Sequence, residues 1–416
     1  MFVEFKAKNF ASIKEEVTFS AIVKVKKTQQ DLIENLIPFV EDKNLYLAKT
    51  LVLYGANASG KSNILQSLVF LFELVLSSRT WDNKKKINRM PFALDKTSSK
   101  KTTKLSLKFI QNNILYKYII ELSDKEIKNE SLYCSGKNNF TGKLKKIFER
   151  KTGFNIKNKF ENEIKYNRAY LSVAGHANDP KVIDAYTWFK EKTIELINED
   201  RLNGYTKRKI YDLKNDKTRL NLFEKFMNNL VSKADVSIEK YKYNYDEEFV
   251  QKIFPESMLS DASESVKSDL LKNLSVKIFS VHKNGVELPL SWESTGTKKL
   301  LDLSGCTYDS IINNKLLVID EIESLHPELL KHLILSFHKS SKQAQLIFTC
   351  HDPILLDSKI MKKEQIWFTQ KNYDFGYTEL YSLKDIQGIR GEVNYAKEYM
   401  KGVFGAYPFI ELEGFE

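Results

Sequence analysis

The sequence predicts an α/β fold with a mostly parallel core sheet, an antiparallel β lobe and a helical insertion. Three observations predict it. "LVLYGANASGKSNIL" (residues 51–65) runs four apolar residues into a Gly/Ala/Ser-rich turn and then an amphipathic stretch, the pattern of a buried strand, a tight loop and a helix. "KLLVIDE" (315–321) and "AQLIFTC" (344–350) are two more buried-strand runs, separated by the helical "HPELLKHLILSFHKS", and such strand–helix alternation argues for parallel strands. Between these ends, about residues 179–274 change to highly charged helical periods.

Taken in order, Phe2 to Asn9 alternates like a strand, Val17 to Val23 is mixed, and Thr50 to Tyr54 is a continuous apolar run. A helix follows from about Lys61 to Ser77, then a polar loop with "NKKK" (83–86). "KLSLKFIQ" and "LYKYIIELSD" alternate on either side of "NN" and read as a hairpin. This β-rich portion ends near Arg150. "VIDAYTWFKEKTIELINED", "LNLFEKFMNNLVSKA" and "SVKSDLLKNL" read as helices, with "VSIEKYKYNYDEE" as a strand between the last two. They lack the sustained heptads of a long coiled coil. "EQIWFTQK" and "YTELYSL" read as edge strands. The expected organisation is one head made from residues 1–170 and 275–416, interrupted by a mainly helical insertion at 171–274.

The 416 residues carry 65 Lys and Arg against 54 Asp and Glu, a net charge of +11. A basic balance suits an acidic partner such as nucleic acid, but the lysines are spread along the whole chain rather than gathered in a patch. Cys134, Cys306 and Cys350 are far apart without a CxxC, so a reducing cytoplasm is expected rather than a disulfide framework. "MFVEFKAKNF" lacks the apolar core of a secretion signal. The most apolar segment, residues 64–76, is too short to span a bilayer and contains Gln66 and Glu73. The expectation is a cytoplasmic protein without a membrane partner.

"GANASGKS" fits the phosphate-loop pattern G-x-x-x-x-G-K-[ST]. Gly55 and Gly60 let the backbone turn so that successive N–H groups along Ala56, Asn57, Ala58 and Ser59 face phosphate oxygens. Lys61 supplies positive charge, the Ser62 hydroxyl is a Mg²⁺ ligand, and the helix opening through Asn63 directs its dipole at the same anion. ATP and Mg²⁺ are the cofactors expected. Asp320 and Glu321 end a buried strand. An unpaired acidic pair buried there would cost several kcal/mol, so a cation or water network is expected to satisfy it. Asp320 would hold Mg²⁺ through water, and Glu321 would orient and deprotonate the attacking water. His351, immediately after the next buried strand, would reach the γ-phosphate and that water. Upstream, "WESTGTKKLLDL" places Ser294 and Gly296 in a Ser-x-Gly turn opening a helix, a second phosphate-type helix N-terminus. Since the chain already has a phosphate loop, the economical reading is that this turn caps a nucleotide held by another subunit.

In this order, the motifs resemble the ABC/SMC superfamily of ATPases. Within it they resemble the bacterial RecF-like "AAA family ATPases" of phage-defence and abortive-infection systems, including PARIS-, Rlo- and AbiL-type ATPase subunits. The matching pieces include "EFKAKNFASIKEEVTFS", "GANASGKSNIL", "PFALD", "ESTGTKKLLDL", "LVIDEIESLHPELL", "TCHDPILLD" and "YMKGVFGAYPFIE". The resemblance implies an ABC-type P-loop head that hydrolyses ATP with Mg²⁺. It implies a homodimer or higher homo-oligomer through composite ATP sites, with Ser294 and Gly296 touching the γ-phosphate across the dimer and Ser324 in the D-loop position. It also implies control of a partner effector, a nuclease encoded nearby, in anti-phage defence. The alternative it leaves is a RecF/SMC-like ATPase binding DNA in repair or recombination, with nucleic acid as partner. Ala11 departs from the family, which often has Arg after "NF", so a basic contact near the adenine or phosphates is expected to be missing. No Q-loop glutamine stands out.

Overall fold

The structure is a computed structural model that describes residues 1–25, 33–40, 43–152, 160, 163–196, 204–233, 235–248, 264–322, 325–388 and 394–407. The described residues fall into two compact units: Met1–Glu195 with Asn313–Glu321 and Ser341–Glu416, and Leu196–Ile312 with Ile322–Ser340.

In the first unit, the core sheet is made of β6 (Thr50–Tyr54), β11 (Thr193–Leu196), β15 (Leu316–Ile319), β16 (Gln345–Thr349), β17 (Ile366–Lys371) and β18 (Thr378–Ser382), in the order β11-β15-β16-β6-β17-β18. β15 with β16, β16 with β6 and β6 with β17 are parallel; β18 joins β17 antiparallel. β6, β15 and β16 are buried along their whole length, which is why they read as unbroken apolar runs. The fold class is therefore α/β with a mostly parallel core, as expected. One strand differs from the sequence reading: β17 is internal, and only β18 lies at the edge. Gln365, just before β17, explains the placement. Its Nε2 donates to Thr50 O at 3.0 Å and to Thr50 Oγ1 at 3.1 Å, tying the start of β17 to the central strand.

The antiparallel lobe has β1 (Phe2–Lys8), β2 (Val17–Ser20), β7 (Thr103–Gln111), β8 (Ile114–Leu122), β9 (Ile127–Cys134) and β10 (Lys145–Lys151), in the order β10-β9-β8-β7-β1-β2. Its central hairpin turns at Asn112 and Asn113, with φ of 51° and 61°, the doubly left-handed turn that asparagine tolerates and hairpin twist favours. A three-stranded sheet of β3 (Ile22–Lys24), β4 (Leu36–Val40) and β5 (Leu45–Ala48) completes the strands among the described residues of this unit. The helices α1 (Lys61–Ser77), α2 (Tyr170–His176) and α3 (Ile183–Glu191) follow. Phe72 of α1 meets Trp188 and Phe189 of α3 edge-on, and Trp188 stacks on Phe109 of β7 with centroids 4.4 Å apart. These buried rings couple the phosphate-loop helix to the lobe. The helix expected through "TWFKEKTIELINED" stops at Glu191, and Thr193–Leu196 becomes β11. Leu316 N donates to Lys192 O at 2.7 Å, so pairing beside β15, with β-branched Thr193 and Ile194, overrides the helical period. Gln345 joins the layers: it donates to Phe2 O and Ala48 O, both at 3.0 Å, and accepts from Phe2 N at 2.6 Å.

The second unit has an antiparallel sheet of β12 (Ile238–Tyr245), β13 (Val276–His282) and β14 (Glu287–Pro289). Its helices are α4 (Tyr205–Leu213), α5 (Lys217–Val231), α6 (Glu264–Ser275), α7 (Thr295–Asn313) and α8 (Pro327–Ser340). The last described helix, α9 (Tyr395–Met400), returns to the first unit.

Candidate functional site

The phosphate loop leaves β6 at Gly55 and enters α1 at Lys61. Gly60 stands at the helix N-cap with φ of 107°, a conformation that L side chains avoid. A Cβ there would also overlap Thr378 and lie 2.8 Å from Ser12 Oγ. At Gly55, with φ of 152°, a Cβ would lie 2.6 Å from both Ser59 Oγ and Thr369 Oγ1. The loop is braced from outside by hydroxyls. Ser59 and Thr369 share a hydrogen bond of 2.6 Å, Thr378 Oγ1 donates to Ser59 O at 2.8 Å, and Ser12 Oγ lies 2.6 Å from Thr378 Oγ1. Asn63 Nδ2 donates to Ser12 Oγ at 2.6 Å. Buried Lys61 folds back over the loop, donating from Nζ to Gly55 O at 2.8 Å and Ala56 O at 3.2 Å. Glycine has no side chain to cap α1, so its first-turn N–H groups face an anion site. This cradle fits a polyphosphate.

Parallel register brings the acidic strand to the same edge. Ile319 pairs with Phe348, and Thr349 with Leu53, so Asp320, Thr349 and Tyr54 end three adjacent strands. With neighbouring strands about 4.8 Å apart, Asp320 lies about 10 Å from the strand that carries the phosphate loop. Phosphate loop, Asp320, Glu321 and His351 all belong to the first unit. The acidic pair is not buried as expected: Asp320 is half-buried and Glu321 exposed. One hydroxyl meets both residues at the strand end. Thr349 Oγ1 donates to Asp320 Oδ1 at 2.7 Å and accepts from Glu321 N at 2.6 Å. Glu321 has φ of 57°, a left-handed backbone that is uncommon for glutamate and is held here by that bond. His351 is half-buried at the end of β16. Next to it, Tyr54 Oη donates to Asp352 O at 2.8 Å, and Asp352 Oδ1 accepts from Ile354 N at 2.8 Å. Burial raises the Tyr54 hydroxyl well above the usual tyrosine range, so it stays a donor and fixes the segment after His351.

The Ser-x-Gly turn lies in the second unit. Ser294 Oγ accepts from Thr297 N at 3.1 Å and lies 2.8 Å from Thr297 Oγ1, which makes it a side-chain cap for α7. Ser294 and Thr295 are exposed, Gly296 is half-buried, and Trp292 is 75% exposed. The turn is anchored by buried Glu293, which accepts from Ser280 Oγ and lies 3.1 Å from His282 Nε2. Ser324, expected in the D-loop position, lies outside the described residues.

Sequence reasoning missed Thr349, Thr369, Thr378 and Ser12. A signal existed for two of them: in "LIFTC" and "IWFTQ" a lone threonine ends a buried apolar run, where a hydroxyl must find a partner. Thr378 and Ser12 carry no such mark.

A family model described as "AAA domain, putative AbiEii toxin, Type IV TA system" matches residues 51–357. No curated protein matches the sequence. Among solved structures, the SmcHead bound to the C-winged helix domain of ScpA is similar at 14% identity and a TM-score of 0.48, covering 92% of this chain and 97% of that one. The Smc head domain with an extended coiled coil, bound to the C-terminal domain of ScpA from Pyrococcus furiosus, is similar at 14% identity and a TM-score of 0.39, covering 97% and 98%. The recombination mediator protein RecF-ATP in the RecFOR pathway is similar at 14% identity and a TM-score of 0.36, covering 92% and 99%.

Proposed function

The chain belongs to this family of AAA domains, and we propose that it is a Mg²⁺-dependent ABC-type ATPase whose ATP-bound state joins two copies through composite sites. The observation that carries the reading is the meeting of the phosphate loop, Asp320, Glu321 and His351 at one edge of the core sheet. Lys61 exchanges the carbonyls of Gly55 and Ala56 for phosphate oxygens, giving charge to ground and transition states alike. Ser62 and Asp320 would hold Mg²⁺, which supplies further charge stabilisation to the phosphates. Glu321 stands exposed beyond the strand end, where it takes the proton of the attacking water, and His351 orients that water. Ser294 and Gly296 of one copy cap the nucleotide of the other.

We place this ATPase upstream of an effector, a nuclease encoded nearby, in anti-phage defence; the family's description, "AAA domain, putative AbiEii toxin, Type IV TA system", supports only a place in a toxin–antitoxin setting. The three cysteines are free, and no described helix is long and apolar enough to cross a membrane; both agree with a cytoplasmic setting. A second reading, DNA binding in repair or recombination, draws on the net charge of +11.

Light scattering of the Glu321→Gln protein with and without ATP–Mg²⁺ tests the assembly. We expect ATP to double the mass and Gly296→Asp to abolish both the doubling and hydrolysis in an otherwise wild-type chain. Unchanged mass together with unchanged hydrolysis in Gly296→Asp would rule out composite sites. Duplex DNA that raises turnover, with the effect falling steeply as salt rises, would favour the second reading.

A further inference from the structure

His351 is carried by a segment that is pinned at three points, all within the first unit. Just before the histidine, Cys350 N donates to Leu53 O at 3.1 Å. Just after it, Asp352 O accepts from Tyr54 Oη at 2.8 Å, with Cys350 Sγ a weaker donor to the same carbonyl at 3.6 Å. Further on, Leu356 O accepts from Ala396 N at 3.0 Å. The half-buried imidazole therefore leaves the backbone between two bonds to β6. Tyr54 makes the second of these bonds and also ends β6, so that Gly55 opens the phosphate loop directly from it. One residue thus sets the spacing between the loop and the histidine. A phenol hydroxyl in the core must find a partner, and the carbonyl it takes is the one beside His351.

The buried Tyr54 ring is itself held by the stretch 395–407. Tyr399 of α9 lies 5.7 Å from Tyr54, centroid to centroid, and stacks on Phe368 of β17 at 5.6 Å. Phe368 in turn lies 6.3 Å from Tyr54. Phe404 closes on Phe368 at 5.8 Å, and Tyr381 Oη of β18 donates to Phe404 O at 2.7 Å. Tyr54, Phe368, Tyr399 and Phe404 are all buried. Helix α9 has six residues, too few to be stable alone, so these contacts hold it in place. The same stretch that backs the Tyr54 ring supplies Ala396, the third pin of the histidine segment.

We propose that Tyr54 is a positioning residue for His351, and that residues 395–407 are a clasp that holds Tyr54 in place. The hydroxyl fixes where the histidine meets the attacking water, and placing a reacting group acts on cleavage rather than on holding ATP. The assignment rests on the proposed function, since it takes His351 to orient that water.

Single-turnover hydrolysis of ATP–Mg²⁺ and calorimetric ATP affinity test it in Tyr54→Phe, Tyr399→Ala, Tyr399→Phe and His351→Ala, alone and in pairs. Tyr54→Phe removes one oxygen and keeps the ring. It should slow cleavage about 10-fold, the worth of one ordinary hydrogen bond, with ATP affinity near wild type. Tyr399→Ala should slow cleavage by a similar factor, and Tyr399→Phe, which keeps the stacked ring, should restore it. Residues that act through one another are not additive. Tyr54→Phe should therefore slow the His351→Ala protein no further, and Tyr399→Ala should slow the Tyr54→Phe protein no further. Additive losses in the Tyr54–His351 pair overturn the proposal, and so does a loss of ATP affinity that matches the loss of rate. Additive losses in the Tyr54–Tyr399 pair overturn the clasp. Should Tyr399→Ala fail to fold, Tyr399→Leu takes its place in the same pair. His351→Ala cleaving at the wild-type rate overturns the catalytic reading of the histidine, and this one with it. A slowed His351→Ala beside an unaffected Tyr54→Phe overturns the positioning role alone.

Discussion

The two anion-type turns of this chain are built in opposite ways. The loop at Gly55–Ser62 has no side-chain cap at its helix; glycine conformations turn the backbone, and Ser12, Thr369 and Thr378 brace it from outside. The turn at Ser294–Thr297 is capped by its own serine and exposed. The first turn leaves its helix without a side-chain cap, the arrangement that would receive a phosphate. In the second, the Ser294 hydroxyl already satisfies a helix N–H, so a phosphate there would meet a finished cap. The contrast teaches where the energy of ligand binding goes. In the phosphate loop it would replace hydrogen bonds that the chain lacks, and in the composite site proposed above the serine turn would add one between subunits.

The largest effect that could break this comparison is at Gly60. Gly60→Ala puts a Cβ into Thr378 at a left-handed φ of 107°, a strain of about 1–3 kcal/mol before the overlap is counted. ATP binding by calorimetry should vanish while circular dichroism still reports a folded chain; retained ATP affinity would show that the loop's backbone shape is unimportant. Thr349→Val comes next. It keeps the shape, leaves Glu321 N unpaired and frees Asp320, so turnover should fall about 10-fold for a lost bond of about 1.4 kcal/mol, with ATP affinity near wild type. Ser294→Ala removes a cap worth about 1 kcal/mol, which thermal unfolding should register; ATP affinity of the isolated subunit should not change.

The smallest effect concerns pH. Asp302, on the helix that the serine turn opens, is pushed up to about 7 by burial, against the pull of Lys207 and Lys299. Its folded value lies above the ordinary carboxylate range near 4, so its stabilising contribution is full in acid and is lost as pH rises through 7. Asp302→Asn should therefore gain thermal stability relative to wild type on going from pH 5 to pH 8. A gap that stays constant would contradict the burial.

What was legible in the sequence is what local chemistry dictates. The phosphate loop could be read because its backbone shape demands glycine, and the β7–β8 hairpin because two asparagines accept left-handed φ. The fully buried strands could be read because parallel sheets leave them no polar face. What escaped depends on partners remote in the chain. "IWFTQK" has too short an apolar run to tell a central strand from an edge one, and Gln365 settles the matter by reaching Thr50. "TIEL" follows a helix in phase and becomes a strand only because β15 offers an edge. The exposure of Glu321 was missed because the tip bends at a left-handed residue, which acidic side chains seldom signal.

The central claim is that one sheet edge separates holding ATP from cleaving it, with Lys61 serving both and Glu321 only the second. Single-turnover hydrolysis of ATP–Mg²⁺, measured beside ATP affinity in wild type, Lys61→Ala and Glu321→Gln, tests it most directly. Loss of a general base should slow Glu321→Gln by about 10²–10⁴ while ATP stays tightly bound, whereas Lys61→Ala should lose affinity and turnover together. Wild-type hydrolysis by Glu321→Gln would contradict the account and leave the acidic strand end a structural feature.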